Sequence, residues 1–335
     1  MGLQLASGFY TNSKLATDRI RILQEELPLP SVRDEPLAKH TSLRIGGPAD
    51  LFVTATTTTD LITAVNLARE CQVPCFVLGG GTNVLVSDRG VRGIVLANQC
   101  RAFATRFVSE PSAPSPVADH LQCIVRAESG VSLPNLARYT ARLGLTGLEW
   151  AVGIPGTIGG AIVNNAGAFG TEIKDILQKV TILDPSGTTS TWETGQLDFG
   201  YRTSRLKRNP GPIVLEATFH LYREAVTTVA ARVNEYTERR KKAQPKGPSA
   251  GSVFANPPGD YAGRLIEQAG LKGLRIGDAQ VSTEHANFII NIGQATASDV
   301  YTLILKIHEE VRRQFGISLD LEIQLVGDWP EWGGC

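Results

Sequence analysis

Two glycine-rich segments constrain this chain more than any other feature. "LGGGTNVLVSD" runs from Leu78 to Asp88, and "GLEWAVGIPGTIGGAIVNNAGAFG", from Gly147 to Gly170, holds seven glycines. Glycine loses more backbone freedom on folding than any other residue, so clusters of it mark places where backbone must approach a ligand or other backbone closely. The first segment follows "PCFVL", which reads as a buried strand, the position that phosphate-binding loops take. It is not G-x-G-x-x-G, because Val84 stands where the third glycine belongs, and the chain contains no G-x-x-x-x-G-K-[ST]. Alone, this loop favours a ligand only slightly over a tight turn. Two such loops together favour a nucleotide cofactor over simple close packing.

The surrounding texture is α/β. "DLITAVNLARECQ" places Leu61, Ala64, Val65, Leu67 and Ala68 at helical spacing, "GIVLAN" and "CIVRAE" read as strands, and "SLPNLARYTARLG" is an amphipathic helix stopped by Gly144. Between Arg101 and Gln122 the Pro, Ser and Ala content predicts a surface loop or insertion. "KVTILDPSG" and "PIVLEATFHL" follow as strands. Near Tyr222 the texture changes to a long helix, "AVTTVAARVNEYTERRKK", which looks like the entry to a further α+β segment of about 100 residues. That segment continues through "PSAGSVFANPPG", the helix "YAGRLIEQAG", the strand "NFIINIG", the helix "SDVYTLILKIHEEVRRQFG" and the strand "LDLEIQLVG". In the last of these Leu319, Leu321, Ile323 and Leu325 share one face, and Asp320, Glu322 and Gln324 the other. Glu322 could face a cleft, although a solvent-facing carboxylate is the commoner outcome of such a pattern.

At 335 residues the chain is long enough for two or three domains. Lys+Arg and Asp+Glu both number 33, so nothing in the charge argues for nucleic acid or an anionic membrane as partner. The five cysteines form no CxxC pair and the five histidines no H-E-x-x-H, so no metal site is expected. An odd cysteine count, an N-terminus without signal-peptide pattern and no apolar run near the roughly 20 residues of a membrane span point to a cytoplasmic protein. "GPSAG", Gly247 to Gly251, formally fits a hydrolase nucleophile elbow. An elbow needs a strand entering and a helix leaving, whereas here prolines stand on both sides. On local sequence, a turn with satisfied hydroxyls outranks any catalytic role for Ser249 or Ser252. In "DFGYRTSRLKRN", Arg202 could fork a carboxylate, though an arginine in such a loop is usually solvated. The basic run Arg239–Lys242 reads as a charged helix end.

Taken in order, "HTSLRIGGPAD", "LGGGTNVLVSD", "GIPGTIGGAIVNNAGAFG", "FGYRTS", "GSVFANPPG", "AGRLIEQAGLKGLRIGDAQVSTEHANFIIN" and "LEIQLVGD" closely resemble the UDP-N-acetylenolpyruvoylglucosamine reductases, flavoenzymes that complete UDP-N-acetylmuramate for peptidoglycan. The likeness runs from about His40 to Asp328. It implies an α+β protein: a two-lobed FAD-binding domain of the vanillyl-alcohol-oxidase type over 36–224, with lobes near 36–100 and 101–224 and the insertion near 101–122, then a substrate-binding domain over 225–330. Residues 1–35 form an N-terminal extension and 331–335 a tail. It further implies non-covalent FAD against Gly79, Gly80, Gly81, Thr82, Asn83, Gly153, Gly156, Gly159, Gly160, Asn164 and Gly167, with NADPH as co-substrate. Arg202, Ser252 and Glu322 match the family's catalytic positions, and Tyr201 and Asn256 fall beside the substrate. The short link after Tyr201 matches the branch without an inserted tyrosine loop. On this reading NADPH gives hydride to the flavin, the flavin gives it to the enolpyruvyl double bond, Arg202 and Glu322 stabilise the developing charge, Ser252 donates the proton, and Ser249 is turn. A monomer acting on small molecules alone is expected. The rivals are a related FAD-dependent sugar or hydroxy-acid oxidase and a non-catalytic nucleotide-binding protein.

Overall fold

The apolar spacing in "DLITAVNLARECQ" produces the helix Thr58–Glu70, with Leu61, Ala64, Val65 and Ala68 buried. The computed structural model describes residues 13–108 and 122–329. Residues 1–12 of the expected extension, 109–121 of the expected insertion and the whole 331–335 tail lie outside the described residues. The described chain forms two compact units, one from residues 13–54, 67–97 and 243–329, the other from 55–66, 98–108 and 122–242. Among the described residues no helix is long and apolar enough to cross a membrane.

In the first unit a four-stranded sheet runs in the order Ser31–Pro36, Pro48–Ala55, Val91–Asn98, Cys75–Leu78. Its first strand lies within the stretch set apart as an extension and pairs antiparallel with Pro48–Ala55. Cys75–Leu78 is less buried than its apolar sequence predicts: only Leu78 is fully covered, because the strand is a sheet edge. A second sheet runs in the order Ser249–Ser252, Phe288–Asn291, Ala279–Val281, Arg275–Ile276, antiparallel throughout. One apolar core joins residues far apart in sequence, with Leu43, Ile45 and Leu85 packed among Phe254, Ile289, Ile304 and Val311.

The helix Ala297–Phe315 of this unit follows its pattern closely. Its buried face includes Val300, Leu303, Ile304, Ile307 and Val311, and Gly316 ends it at φ 70°, the left-handed stop that glycine adopts without a Cβ penalty. Asp88, from the loop after Val84–Val86, caps the other end. Its Oδ1 accepts from Ala297 N at 2.7 Å, and its Oδ2 from Ser298 N at 2.9 Å and Ser298 Oγ at 2.7 Å. Asp88→Ala leaves those donors to water and is expected to cost about 1 kcal/mol. A lower urea midpoint at unchanged slope is the expected result; an unchanged midpoint would show that Thr296, which also caps this helix, suffices.

The second unit is built on a sheet in the order Thr189–Glu193, Leu177–Leu183, Ile213–Arg223, Gln122–Glu128, Phe103–Val108, with Leu145–Thr146 paired to the end of Ile213–Arg223. Phe103–Val108 corrects the expected insertion, since these residues pair antiparallel with Gln122–Glu128 from Phe103–Ala127 to Val108–Gln122. No residue of that strand is fully buried, so it has no apolar alternation for a sequence reading to find. The helix Leu133–Arg142 ends as expected, with Gly144 at φ 67°. The helix Val226–Ala243, expected to open the C-terminal segment, is held in this second unit by an ion network. Arg232 donates to Glu149 Oε1 and Thr146 Oγ1 at 2.9 Å each and to Glu224 Oε1 at 2.6 Å. Glu149 is nearly buried, so the arginine also neutralises an otherwise costly carboxylate.

Candidate active site

The second unit holds Tyr201 and Arg202 at the tip of a two-residue turn. Gly200 and Thr203 exchange backbone hydrogen bonds of 3.0 and 3.3 Å across it. Arg202 sits at φ 54°, a left-handed position normally given to glycine or asparagine. Such strain persists where surrounding contacts over-determine the geometry, and it concentrates at functional sites. Three contacts do so here. Arg202 Nη2 donates to Gly167 O at 2.8 Å, Lys207 Nζ donates to Arg202 O at 3.1 Å, and the guanidinium lies 5.3 Å from the Tyr201 ring centre. The turn is tied to the second glycine segment by Ser204 Oγ, which donates to Val163 O at 2.7 Å. The fully buried Asn165 adds to this, its Nδ2 donating to Gly200 O at 3.0 Å. Tyr201 is about half exposed.

A second arginine stands beside the first. Arg240, on the Val226–Ala243 helix, lies against Gly153, where a Cβ would come within 2.5 Å of Arg240 Cδ. Its Nε is buried with no hydrogen-bond partner among the described residues. Burial, and after it the Arg202 cation, pull its pKa below the usual arginine value. Two like charges and an unmet buried donor make a site that an anion would stabilise.

The glycines divide by role. Gly167 is confined by its own fold, since a Cβ would come 2.6 Å from Thr171 O. Gly159 packs on Ser129, and a Cβ on Gly81 (φ 62°) would overlap the His40 carbonyl. Gly156 O accepts from Leu133 N at 3.0 Å, and Asn164 Nδ2 donates to Gly160 O at 2.9 Å. By contrast Gly79, Gly80 and Gly153 are exposed, leaving bare peptide edges open to a ligand, whereas Gly160 is exposed but has its N–H bonded to Thr157 Oγ1 and its carbonyl to Asn164. In the second unit, the exposed peptide edge at Gly153 beside the orphaned Arg240 donor suits a phosphate or other anion; in the first unit, the exposed edges at Gly79 and Gly80 suit phosphate as well, so the residues present in each unit fit FAD.

In the first unit the serines lie on a strand. Ser249 pairs with Ile290 and Ser252 with Phe288, two intervening residues against one, so one extra residue bulges between them, with Gly251 at φ 80°. Bulges re-aim side chains and recur beside active sites. The expected turn at Ser249 is therefore corrected: the long-range partner Phe288–Asn291 makes it strand, and Ser249 O accepts from Ser42 Oγ at 2.6 Å. Ser252 is half-buried. One residue on, Val253 O accepts from Glu322 N at 2.8 Å and Ile323 N at 3.4 Å. Successive N–H groups of a regular strand point opposite ways, so this shared acceptor bends the chain. "LDLEIQLVG" is thus strand only over Gln324–Val326, paired parallel with Val84–Val86. The bend leaves Glu322 half-buried and Asp320 and Gln324 exposed.

Asn83 completes this half. Its Nδ2 donates to Glu322 O at 3.2 Å, and its backbone O accepts from Gln324 N at 2.9 Å. The first glycine loop, Glu322 and the Ser252–Val253 backbone are therefore one hydrogen-bonded frame. Asn256 is exposed, and its Oδ1 accepts from Ala262 N at 3.0 Å. Sequence reading passed over Arg240 and Asn165. Asn165 lies inside the glycine-rich motif but not among the positions assigned to the cofactor, and Arg240 lies in the basic run read as a charged helix end.

Residues 243–326 match the family model described as "UDP-N-acetylenolpyruvoylglucosamine reductase, C-terminal domain", and residues 49–192 match "FAD binding domain". The chain is 44% identical over 299 residues to UDP-N-acetylenolpyruvoylglucosamine reductase 2 of Symbiobacterium thermophilum, covering 89% of this chain and 92% of the relative. It is 42% identical over 296 residues to the reductase of Desulforamulus reducens, covering 88% and 93%. Its fold is similar to the crystal structure of UDP-N-acetylenolpyruvylglucosamine reductase from Thermus caldophilus, at a TM-score of 0.71 and 37% identity over 90% of this chain and 99% of that one.

Proposed function

This chain belongs to the UDP-N-acetylenolpyruvoylglucosamine reductase family, and from that premise we propose which of its residues carry the reaction. It is an FAD-containing oxidoreductase that uses NADPH to reduce the enolpyruvyl double bond of UDP-N-acetylglucosamine enolpyruvate, yielding UDP-N-acetylmuramate for peptidoglycan. Bound FAD supplies hydride relay from NADPH to the terminal carbon of that double bond. From the family likeness, Gly79, Gly80, Gly81, Thr82, Asn83, Gly153, Gly156, Gly159, Gly160, Asn164 and Gly167 are assigned to FAD. The FAD-binding part is taken from 36 through the helix Val226–Ala243, which belongs to the second unit, and the substrate-binding part from 243 to 330, with the family models over 49–192 and 243–326 in support.

Once the terminal carbon has gained hydride, charge builds on its neighbour and spreads into the carboxylate. Arg202 pairs with that charge through its fork of donors. Glu322 assists as a hydrogen-bond donor in its protonated form. Ser252 passes its hydroxyl proton to the carbanionic carbon and recovers one from solvent. Tyr201 and Asn256 line the substrate. The observation that best supports this reading is the Asn83–Glu322–Val253 frame, which carries the glycine loop, the carboxyl and the proton donor on connected backbone. The protein is placed in the cytoplasm as a monomer, without nucleic acid or membrane partners; its balanced charge supports the absence of a polyanionic partner.

Arg240 is assigned to the anionic part of the substrate. Arg240→Ala is expected to raise KM for the enolpyruvyl sugar by roughly 10- to 100-fold, the range for losing a hydrogen bond to a charged group. Arg240→Lys, which keeps charge but loses Nε, recovers only part of this. Unchanged steady-state constants in both variants would remove Arg240 from the site.

A further inference from the structure

A single side chain holds the backbone that joins Ser252 to Glu322. Asn287 is 4% exposed and spends every polar group nearby. Its backbone O accepts from Val253 N at 2.8 Å, its Oδ1 accepts from Phe254 N at 2.9 Å, and its Nδ2 donates to Phe254 O at 2.8 Å. The side-chain amide thus offers Phe254 the paired donor and acceptor that a neighbouring peptide would give. Beyond the bulge, Ser252 pairs with Phe288 and Val253 N donates to Asn287 O, and the Asn287 side chain carries that pairing one residue further, to Phe254. The Asn287 N–H donates to His285 Nδ1 at 3.2 Å, a bond that needs an unprotonated Nδ1, and burial lowers the His285 pKa. On the far side, Ala255 N donates to Asp320 O at 2.9 Å, and Val253 O takes the Glu322 N–H.

We propose that Asn287 is a positioning residue for proton delivery: by clamping Phe254 on both backbone groups it fixes Ser252 and Glu322 at constant spacing. Asn287 touches neither substrate nor cofactor and acts only through the Ser252–Phe254 backbone. This rests on reading Ser252 as the proton donor.

The test uses the FAD-loaded enzyme in two half-reactions, bleaching of the flavin band by NADPH and its recovery on adding UDP-N-acetylglucosamine enolpyruvate. Asn287→Ala is expected to slow recovery by about 10²-fold, the cost of a small misplacement of a reacting group, and to leave bleaching within a few-fold of the parent. In the Ser252→Ala background the same change is expected to add less than about 3-fold, since coupled residues are not additive. Amide hydrogen exchange at Phe254 is expected to accelerate. If the alanine variant does not retain FAD, the near-isosteric Asn287→Asp, which loses the donor to Phe254 O, takes its place. Equal slowing of both half-reactions, or the full factor reappearing on Ser252→Ala, would make Asn287 a support of the fold and overturn the proposal. If Ser252→Ala alone leaves recovery intact, the donor assignment fails first and the proposal with it; if only the Asn287 variants behave like the parent, the donor stands and the positioning role fails.

Discussion

Ser252→Ala is expected to bleach with NADPH at close to the parent rate and to recover with the enolpyruvyl sugar about 10³- to 10⁴-fold more slowly, the upper range for loss of a positioned general acid. The asymmetry is what identifies the role. Hydride from NADPH needs no proton from Ser252, whereas the carbon beside the new C–H bond must gain one before product can form. A serine hydroxyl is a weak acid, but its acceptor is strongly basic, and the Glu322–Val253 and Asn287–Phe254 hydrogen bonds hold the chain that carries it. Anaerobic stopped-flow absorbance separates the two halves. Equal loss in both would make Ser252 structural.

Arg202→Lys is expected to lose about 10²- to 10³-fold in the recovery half, as when one preorganised donor to a developing anion is removed. Lysine keeps the charge but not the planar fork, and it cannot keep the bond from Nη2 to Gly167 O while also reaching a carboxylate. The turn that presents residue 202 is held by backbone bonds between Gly200 and Thr203 and by Asn165 and Ser204. The variant should therefore unfold near the parent midpoint. Single-turnover recovery at saturating sugar measures the effect, and recovery at the parent rate would show that charge alone suffices.

Elements whose pattern is local were legible in the sequence. Ala297–Phe315 and Leu133–Arg142 each bury one helical face and stop at a left-handed glycine, and both boundaries follow from residues within the helix and its cap. Elements made by distant partners were not. Ser249–Ser252 is strand because Phe288–Asn291 lies beside it, and nothing in "GPSAGS" announces that neighbour. Phe103–Val108 buries no face, so its edge position left composition as the only signal, and composition said loop. "LDLEIQLVG" erred the other way, since a clean alternation concealed the bend at which Val253 O receives two successive N–H groups. The candidate site divides similarly. Local sequence favoured a turn at Ser252 and a solvated Arg202, and only the ordered set of motifs pointed to the roles proposed for them. Arg239 and Arg240 are neighbours in one basic run; the 100° step between them on a helix decides that one is exposed and the other lies against Gly153.

One anaerobic titration decides whether this chain passes reducing equivalents from NADPH through FAD to the enolpyruvyl sugar. NADPH is added to the purified protein until the flavin band has bleached, and UDP-N-acetylglucosamine enolpyruvate is then added without oxygen. Full recovery of the oxidised spectrum is expected on adding the sugar, one equivalent for each equivalent of FAD, with slow recovery in air without it. A protein that bleaches, ignores the sugar and recovers rapidly in air would be an oxidase on the same fold. A protein that takes up no FAD on reconstitution would not be a flavoenzyme of this family.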